Sequence, residues 1–259
     1  MNLEWSQDKE MQKTQFKFRE LNLDEAREML NSPNYVVKRK SLEDLQASYK
    51  DKIYGEFEAM DLVETGKRLF DELKQEYSIE TPVEFFVGNN ADGQQVFYTR
   101  VDKISGQDLA RKENLQDINK IIQELYVNIS KYYLDKLKNG GFFLTDINGS
   151  SQYVYGGKGD QKENRIYLVD ADIYLDNRPE SLLTTTYWLS RHLSDVESKL
   201  NADVLSARNN IREFVDKYQS LFPVQAGKDI ERLSEIQNFL VGKGFGNEIL
   251  PAISIFEEK

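Results

Sequence analysis

Two β-rich runs, "VEFFVG" and "QQVFYTRV", stand back to back across the joint "NNADG", with a long amphipathic stretch on either side. No other feature constrains the fold as much. Asn and Gly at the joint are hairpin residues, because they tolerate the positive backbone angles a tight reversal needs. The flanking stretches, from about residue 54 to 76 and from 115 to 141, repeat apolar residues at the spacing of one helical face. Phe57, Met60, Val63, Phe70 and Leu73 form the first stripe. Ile118, Ile122, Leu125, Ile129, Tyr133 and Leu137 form the second, and Gly140 and Gly141 stop that helix.

Upstream, "QFKFREL" reads as a strand, "DEAREML" as a short helix and "NYVVKRKS" as a strand with basic residues at its end. "SLEDLQASYKDKI" is helical or irregular, and "DKISGQDL" reads as a connector. After the second long helix, "GFFLTDINGSSQYVYGGKGDQKENRIYLVDADIYL" contains two short strands, and from about Pro179 the pattern is helical. The expected class is α+β in two lobes. Residues 1–103 would form a strand-rich lobe holding one long helix, and 104–259 a helical lobe carrying a hairpin at 141–175.

With 39% hydrophobic residues, including 14 Phe and 14 Tyr, the 259-residue chain can build a substantial core. Its net charge of −10 disfavours nucleic acid and anionic membranes as partners, but is compatible with a small phosphorylated ligand in a locally basic pocket. The absence of cysteine removes disulfides, thiolate catalysis and cysteine metal sites. No signal-type segment and no transmembrane-length apolar run is present, so a soluble, cytoplasmic protein is expected.

The candidate residues each carry two readings. In a strand, Val36 and Lys38 point the same way, so Val36 can line an apolar slot while Lys38 reaches a phosphate. The plainer alternative is a strand-end lysine in solvent. Glu56 borders the apolar stripe of the first long helix, where it either pairs with Lys38 or is solvated, and Glu58 competes for the role. Asp146 follows "FFLT" and Asp170 follows "IYLV". A carboxylate ending a buried strand is costly unless a charge meets it, and two of them suit Mg2+. Otherwise each caps a turn. The glycine clusters "GGKGDQ" and "VGKGFG" lack the strand–loop–helix context of a phosphate loop and read as turns. His192, the single histidine, has a packing or solvent role, and Trp188 one turn earlier is expected in the core. Glu180, Asp195 and Glu197 read as a solvated helix face, the other reading being attraction of a cationic acceptor.

In their order, the motifs from about residue 34 to 175 resemble the protein-kinase-like superfamily, and most closely its aminoglycoside and choline phosphotransferase branch. The resemblance implies that "YVVK" supplies Lys38 to the nucleotide phosphates and that Glu56 pairs with it. The segment from Val101 to Lys103 would meet the adenine through backbone groups. Asp146 would orient or deprotonate an acceptor hydroxyl, and Asp170 in "DAD" would hold Mg2+. Three positions depart from the family pattern. Leu144 stands where a histidine is usual, and Ser151 stands in the register of an asparagine that is the second metal ligand. "LNLDEAREMLNSPN" occupies the place of the glycine-rich loop.

The expected function is ATP- and Mg2+-dependent phosphoryl transfer to a small hydroxylated molecule. The alternative is a catalytically inactive pseudokinase that binds or scaffolds a protein partner. An unrelated α+β interaction protein is the third reading.

Overall fold

The computed structural model describes residues 18–50, 53–55, 57–111, 118–159, 164–170, 172–200 and 204–241. In chain order the elements are β1 (Arg19–Leu21), α1 (Leu23–Asn31), β2 (Tyr35–Ser41), α2 (Leu42–Tyr49), α3 (Ala59–Tyr77), β3 (Val83–Asn89), β4 (Gln95–Asp102) and β5 (Ile104–Asp108). They continue as α4 (Asn119–Asn139), β6 (Phe143–Leu144), β7 (Tyr153–Lys158), β8 (Arg165–Leu168) and β9 (Leu175–Asp176), followed by α5 (Pro179–Leu200), α6 (Leu205–Leu221), α7 (Pro223–Lys228) and α8 (Ile230–Val241). The chain is α+β, and contacts divide it into two compact units. The described parts of Ser6–Glu113 and Gly149–Asp176 form a strand-rich unit; those of Asn114–Asn148 and Asn177–Lys259 form a helical one.

The strand-rich unit is organised by a four-stranded sheet in the order β1-β3-β4-β2. β3 and β4 make the antiparallel hairpin expected from "NNADG". Its loop is closed by the Asn90 side chain, which accepts from the backbone N–H groups of Asp92 at 3.0 Å and Gln94 at 2.9 Å. β2 lies antiparallel along β4, and β1 lies parallel along β3. Alternation divides the side chains between two faces. On one face Val37, Phe86, Val96 and Tyr98 pack with Leu21 and with Ala26 and Met29 of α1. On the other, Phe85 stacks on Phe97 with ring centroids 5.6 Å apart and meets Phe70 of α3 at 5.5 Å. α3 buries Leu62, Val63, Leu69, Phe70, Leu73 and Tyr77, the spacing of one helical stripe.

α1 is a well-specified helix. The Asn22 side chain accepts from the N–H groups of Asp24 and Glu25, and Glu25 reaches back to the Asn22 N–H at 3.0 Å, completing a capping box.

"DKISGQDL" is more than the connector read from the sequence: its residues 104–108 form β5, paired antiparallel with β7, which in turn pairs with β8. The pairing also accounts for two glycines. Gly106 and Gly156 lie opposite each other, and a Cβ on either would collide with backbone of the facing strand, Tyr155 or Ser105. "GGKGDQ" is therefore partly strand, with Gly156 and Gly157 in β7 and Gly159 at φ +57° as the turn begins. The cluster "VGKGFG", apart from Val241, lies outside the described residues.

In the helical unit, Ile129, Tyr132 and Tyr133 of α4 are buried with Leu189 and Leu193 of α5, Phe214 and Tyr218 of α6, and Leu233, Ile236 and Leu240 of α8. Trp188 is not a core residue: it is 48% exposed, packed edge-on to Tyr187, with the Arg191 guanidinium 5.5 Å from its ring. Glu197 is not part of a solvated face. It accepts from Arg208 in an ion pair whose side chains are only 12% and 5% exposed, and the same guanidinium lies 4.0 Å over the Phe239 ring and donates to the Phe239 carbonyl.

Candidate functional site

The register of β2 against β4 settles which side chains share the α3 face of the sheet. Val36 is opposite Val101, Lys38 opposite Thr99 and Lys40 opposite Phe97. Thr99, Val101 and Phe97 are buried, whereas Val36 is 48% exposed and Lys38 partly so. The strand thus presents an exposed valine and then two lysines in a row, with buried apolar and hydroxyl groups behind them.

Lys38 does not end in solvent. Its Nζ donates to Asp170 Oδ1 at 2.9 Å and to Asp172 Oδ2 at 2.9 Å. Partial burial alone would pull the Lys38 pKa down, but the hydrogen bonds and the charges of Asp170 and Asp172 together leave the ammonium above its ordinary value. Lys38 is therefore a fixed cation. It lines a cavity of about 290 Å³ together with Lys40, Leu45, Phe97, Thr99 and Asp172.

Asp170 follows β8 after one residue, Val169. That strand is anchored where Leu168 N–H donates to Glu80 O at 2.9 Å and Val169 N–H to Gln152 O at 2.9 Å. Ser151 sits beside that anchor in a 3-10 turn, Ser150–Gln152, and is exposed. The turn is held by Gln152, whose side-chain oxygen accepts from Gly149 N–H at 2.9 Å. Asp170 and Ser151 carry oxygen donors of the hard type Mg2+ takes; among the described residues no group of three or more histidine or carboxylate side chains could hold a metal ion.

At the end of β4, Val101 is buried between Val36 and Val83. The Lys103 N–H donates to Asn34 O at 3.0 Å and the Asp102 N–H to Pro82 O at 3.0 Å. Both amides are thus satisfied within the unit. Glu56 lies outside the described residues.

Asp146 belongs to the helical unit, in the loop after β6. Leu144 N–H donates to the Tyr132 hydroxyl at 2.9 Å, and the Asn148 amide donates to the Thr185 carbonyl at 3.0 Å. The loop is pinned on both sides of Asp146, which is itself exposed. His192 of α5 lies within range of its charge. Burial pushes the His192 pKa below its ordinary value, Asp195 raises it, Arg191 lowers it, and Asp146 raises it.

Sequence reasoning missed Asp172 as a partner of Lys38. The available signal was "DAD", in which aspartates two apart both reach one cation. It also missed that the Asp146 charge bears on His192, as the smallest of the influences on its pKa. No family model matches the sequence, and no curated protein matches it.

Proposed function

We propose that the chain is a divergent cytoplasmic phosphotransferase of two-lobed, protein-kinase-like fold, using ATP and Mg2+ and acting on a small hydroxylated molecule. The observation that carries this reading is the ion pair between Lys38 and Asp170, which joins residues 132 positions apart at 2.9 Å. A lysine for the phosphates and an aspartate for the metal must lie within reach of one triphosphate, and these two do. Phosphoryl transfer asks little covalent chemistry of a protein; it asks for positioning and for charge to meet the transferring group. Lys38 would contact the phosphates, Asp170 and Ser151 would hold Mg2+, and Val36 and Val101 would contact the base. Lys103 would contribute through its carbonyl, since its N–H is taken by Asn34. Asp146, in a loop pinned by Tyr132 and Thr185, would orient the acceptor hydroxyl.

A second reading, a pseudokinase that binds a protein partner without turnover, is favoured by α1. A capped helix stands where the family places its glycine-rich loop, so backbone amides from that segment go to the helix and not to a phosphate.

Thermal shift with ATP, with and without Mg2+, tests both. A ligand that binds only the folded state raises the melting temperature. The expected result is a Mg2+-dependent rise that disappears in Asp170→Ala, and phosphate transfer that disappears in Asp146→Ala while the thermal response survives. A thermal response without transfer to any hydroxyl acceptor would favour the pseudokinase. No response into the millimolar range of ATP would refute the phosphotransferase.

A further inference from the structure

The two carboxylates on Lys38 are held in different ways. Among the described residues, the Asp170 carboxylate has Lys38 as its one side-chain hydrogen-bond partner. Asp172 is backed by a clamp. Ile173, next in the chain, is buried against Gly66 of α3, so closely that a Cβ at Gly66 would come within 2.7 Å of Ile173 Cδ1. The buried Tyr49 of α2 straddles the same segment: its hydroxyl donates to the Ile173 carbonyl and accepts from the Leu175 N–H at 3.0 Å. The Tyr174 hydroxyl donates to Asp172 Oδ2 at 3.4 Å, the same oxygen that takes Lys38. Asp172 also lines the 290 Å³ cavity beside Lys38 and Lys40.

We propose that Asp172 is the positioning residue of Lys38, the carboxylate that keeps the ammonium aimed while Asp170 is given over to a metal ion. The assignment of Asp170 to metal rests on the function proposed above; the anchoring of Lys38 by Asp172 does not. A carboxylate oxygen coordinating Mg2+ is a poor partner for an ammonium, because the two cations repel and compete for the same lone pairs. Lys38 then needs a second carboxylate, and "DAD" supplies one two residues on. An ammonium has three donors. With one held by Asp172, and the one held by Asp170 released, two face a phosphate. Asp172 acts through Lys38 and touches no reacting atom.

The test reads the Lys38 ammonium directly. In protein with 15N-labelled lysine, the Lys38 Nζ resonance, identified by its loss in Lys38→Arg, is followed at low temperature without nucleotide. Hydrogen exchange at that ammonium is expected to speed up roughly tenfold in Asp172→Asn, the scale of one charged hydrogen bond lost at a half-exposed site. In Asp170→Asn it should change much less, and Asp172→Glu should recover part of the protection. Equal effects of the two asparagine variants, or a larger effect of Asp170→Asn, would overturn the proposal whatever the protein does with nucleotide. The second readout is ATP affinity. Asp172→Asn is expected to weaken Mg2+-ATP by roughly tenfold while keeping the metal dependence, which Asp170→Asn removes. If the wild type does not bind ATP, the nucleotide role of both residues falls, and the resonance alone decides whether Asp172 anchors Lys38.

Discussion

Replacing Gly66 by alanine should destabilise the strand-rich unit, although it removes a glycine from the middle of α3. Two terms oppose each other. Alanine is favoured over glycine inside a helix by about 1 kcal/mol. Against that, the new methyl would stand 2.7 Å from Ile173 Cδ1, 2.8 Å from Cγ2 and 3.0 Å from Cγ1. Turning the end of the side chain clears only Cδ1, because both γ carbons are fixed to the branched Cβ. Ile173 is also enclosed by its own burial and by the bond from Tyr49 to its carbonyl. Forcing extra volume into a packed site costs about 1–3 kcal/mol. The net expectation is a loss of about 1 kcal/mol, read as a lower urea midpoint at unchanged slope by circular dichroism. The double variant Gly66→Ala/Ile173→Ala isolates the cause. Ile173→Ala alone should cost about 2–5 kcal/mol, but in its background Gly66→Ala should become stabilising by about 1 kcal/mol, because all three clashing carbons are gone. If Gly66→Ala stabilises the wild type by that full amount, or if the two substitutions are additive, the argument for a tight seat between α3 and Ile173 is wrong.

In the helical unit, Glu197→Gln should cost about 3 kcal/mol in thermal or urea unfolding, because it leaves the Arg208 charge buried and poorly compensated. Replacing both partners by methionine should cost less than that single change. His192, the sole histidine, gives one resolvable imidazole in proton NMR, and its midpoint should fall below 6.5. A depressed folded-state pKa means that its contribution to stability is present above the unfolded value and is lost as pH falls through the folded one. His192→Gln should therefore flatten the acid limb of the stability curve. Asp146→Asn should lower the His192 midpoint further, since the Asp146 charge raises it.

What could be read from the chain follows the range of the forces involved. The β3–β4 hairpin, α1, β2 and the stripes of α3 and α4 depend on near neighbours, and residues such as Asn90 and Gly140 announce two of them. β5 was illegible because "ISGQD" has little apolar alternation and becomes a strand only by pairing with β7, a partner far along the chain. Trp188 and Glu197 mark a similar limit. A helical pattern gives the side of a helix, but whether that side meets solvent, an arginine or a core depends on which helices pack against it. For the candidate site, the family resemblance singled out Lys38 and Asp170 from separate motifs, and the two are brought together. Asp172 escaped because a pattern assigns one role per motif, whereas an ammonium with several donors accepts as many carboxylates as geometry allows.

The sheet order also has a consequence for solubility. Among the described strands β2 has one neighbour, β4, so its other side offers a row of main-chain donors and acceptors of the kind that recruits foreign strands. The middle of that strand reads Lys38-Arg39-Lys40, with Arg39 and Lys40 exposed. Basic side chains on a sheet border are a natural guard against polymerisation, because a second copy docking antiparallel would set like charges against each other. On the function proposed above, the basic residues that would meet an anionic ligand would also guard this sheet border against aggregation.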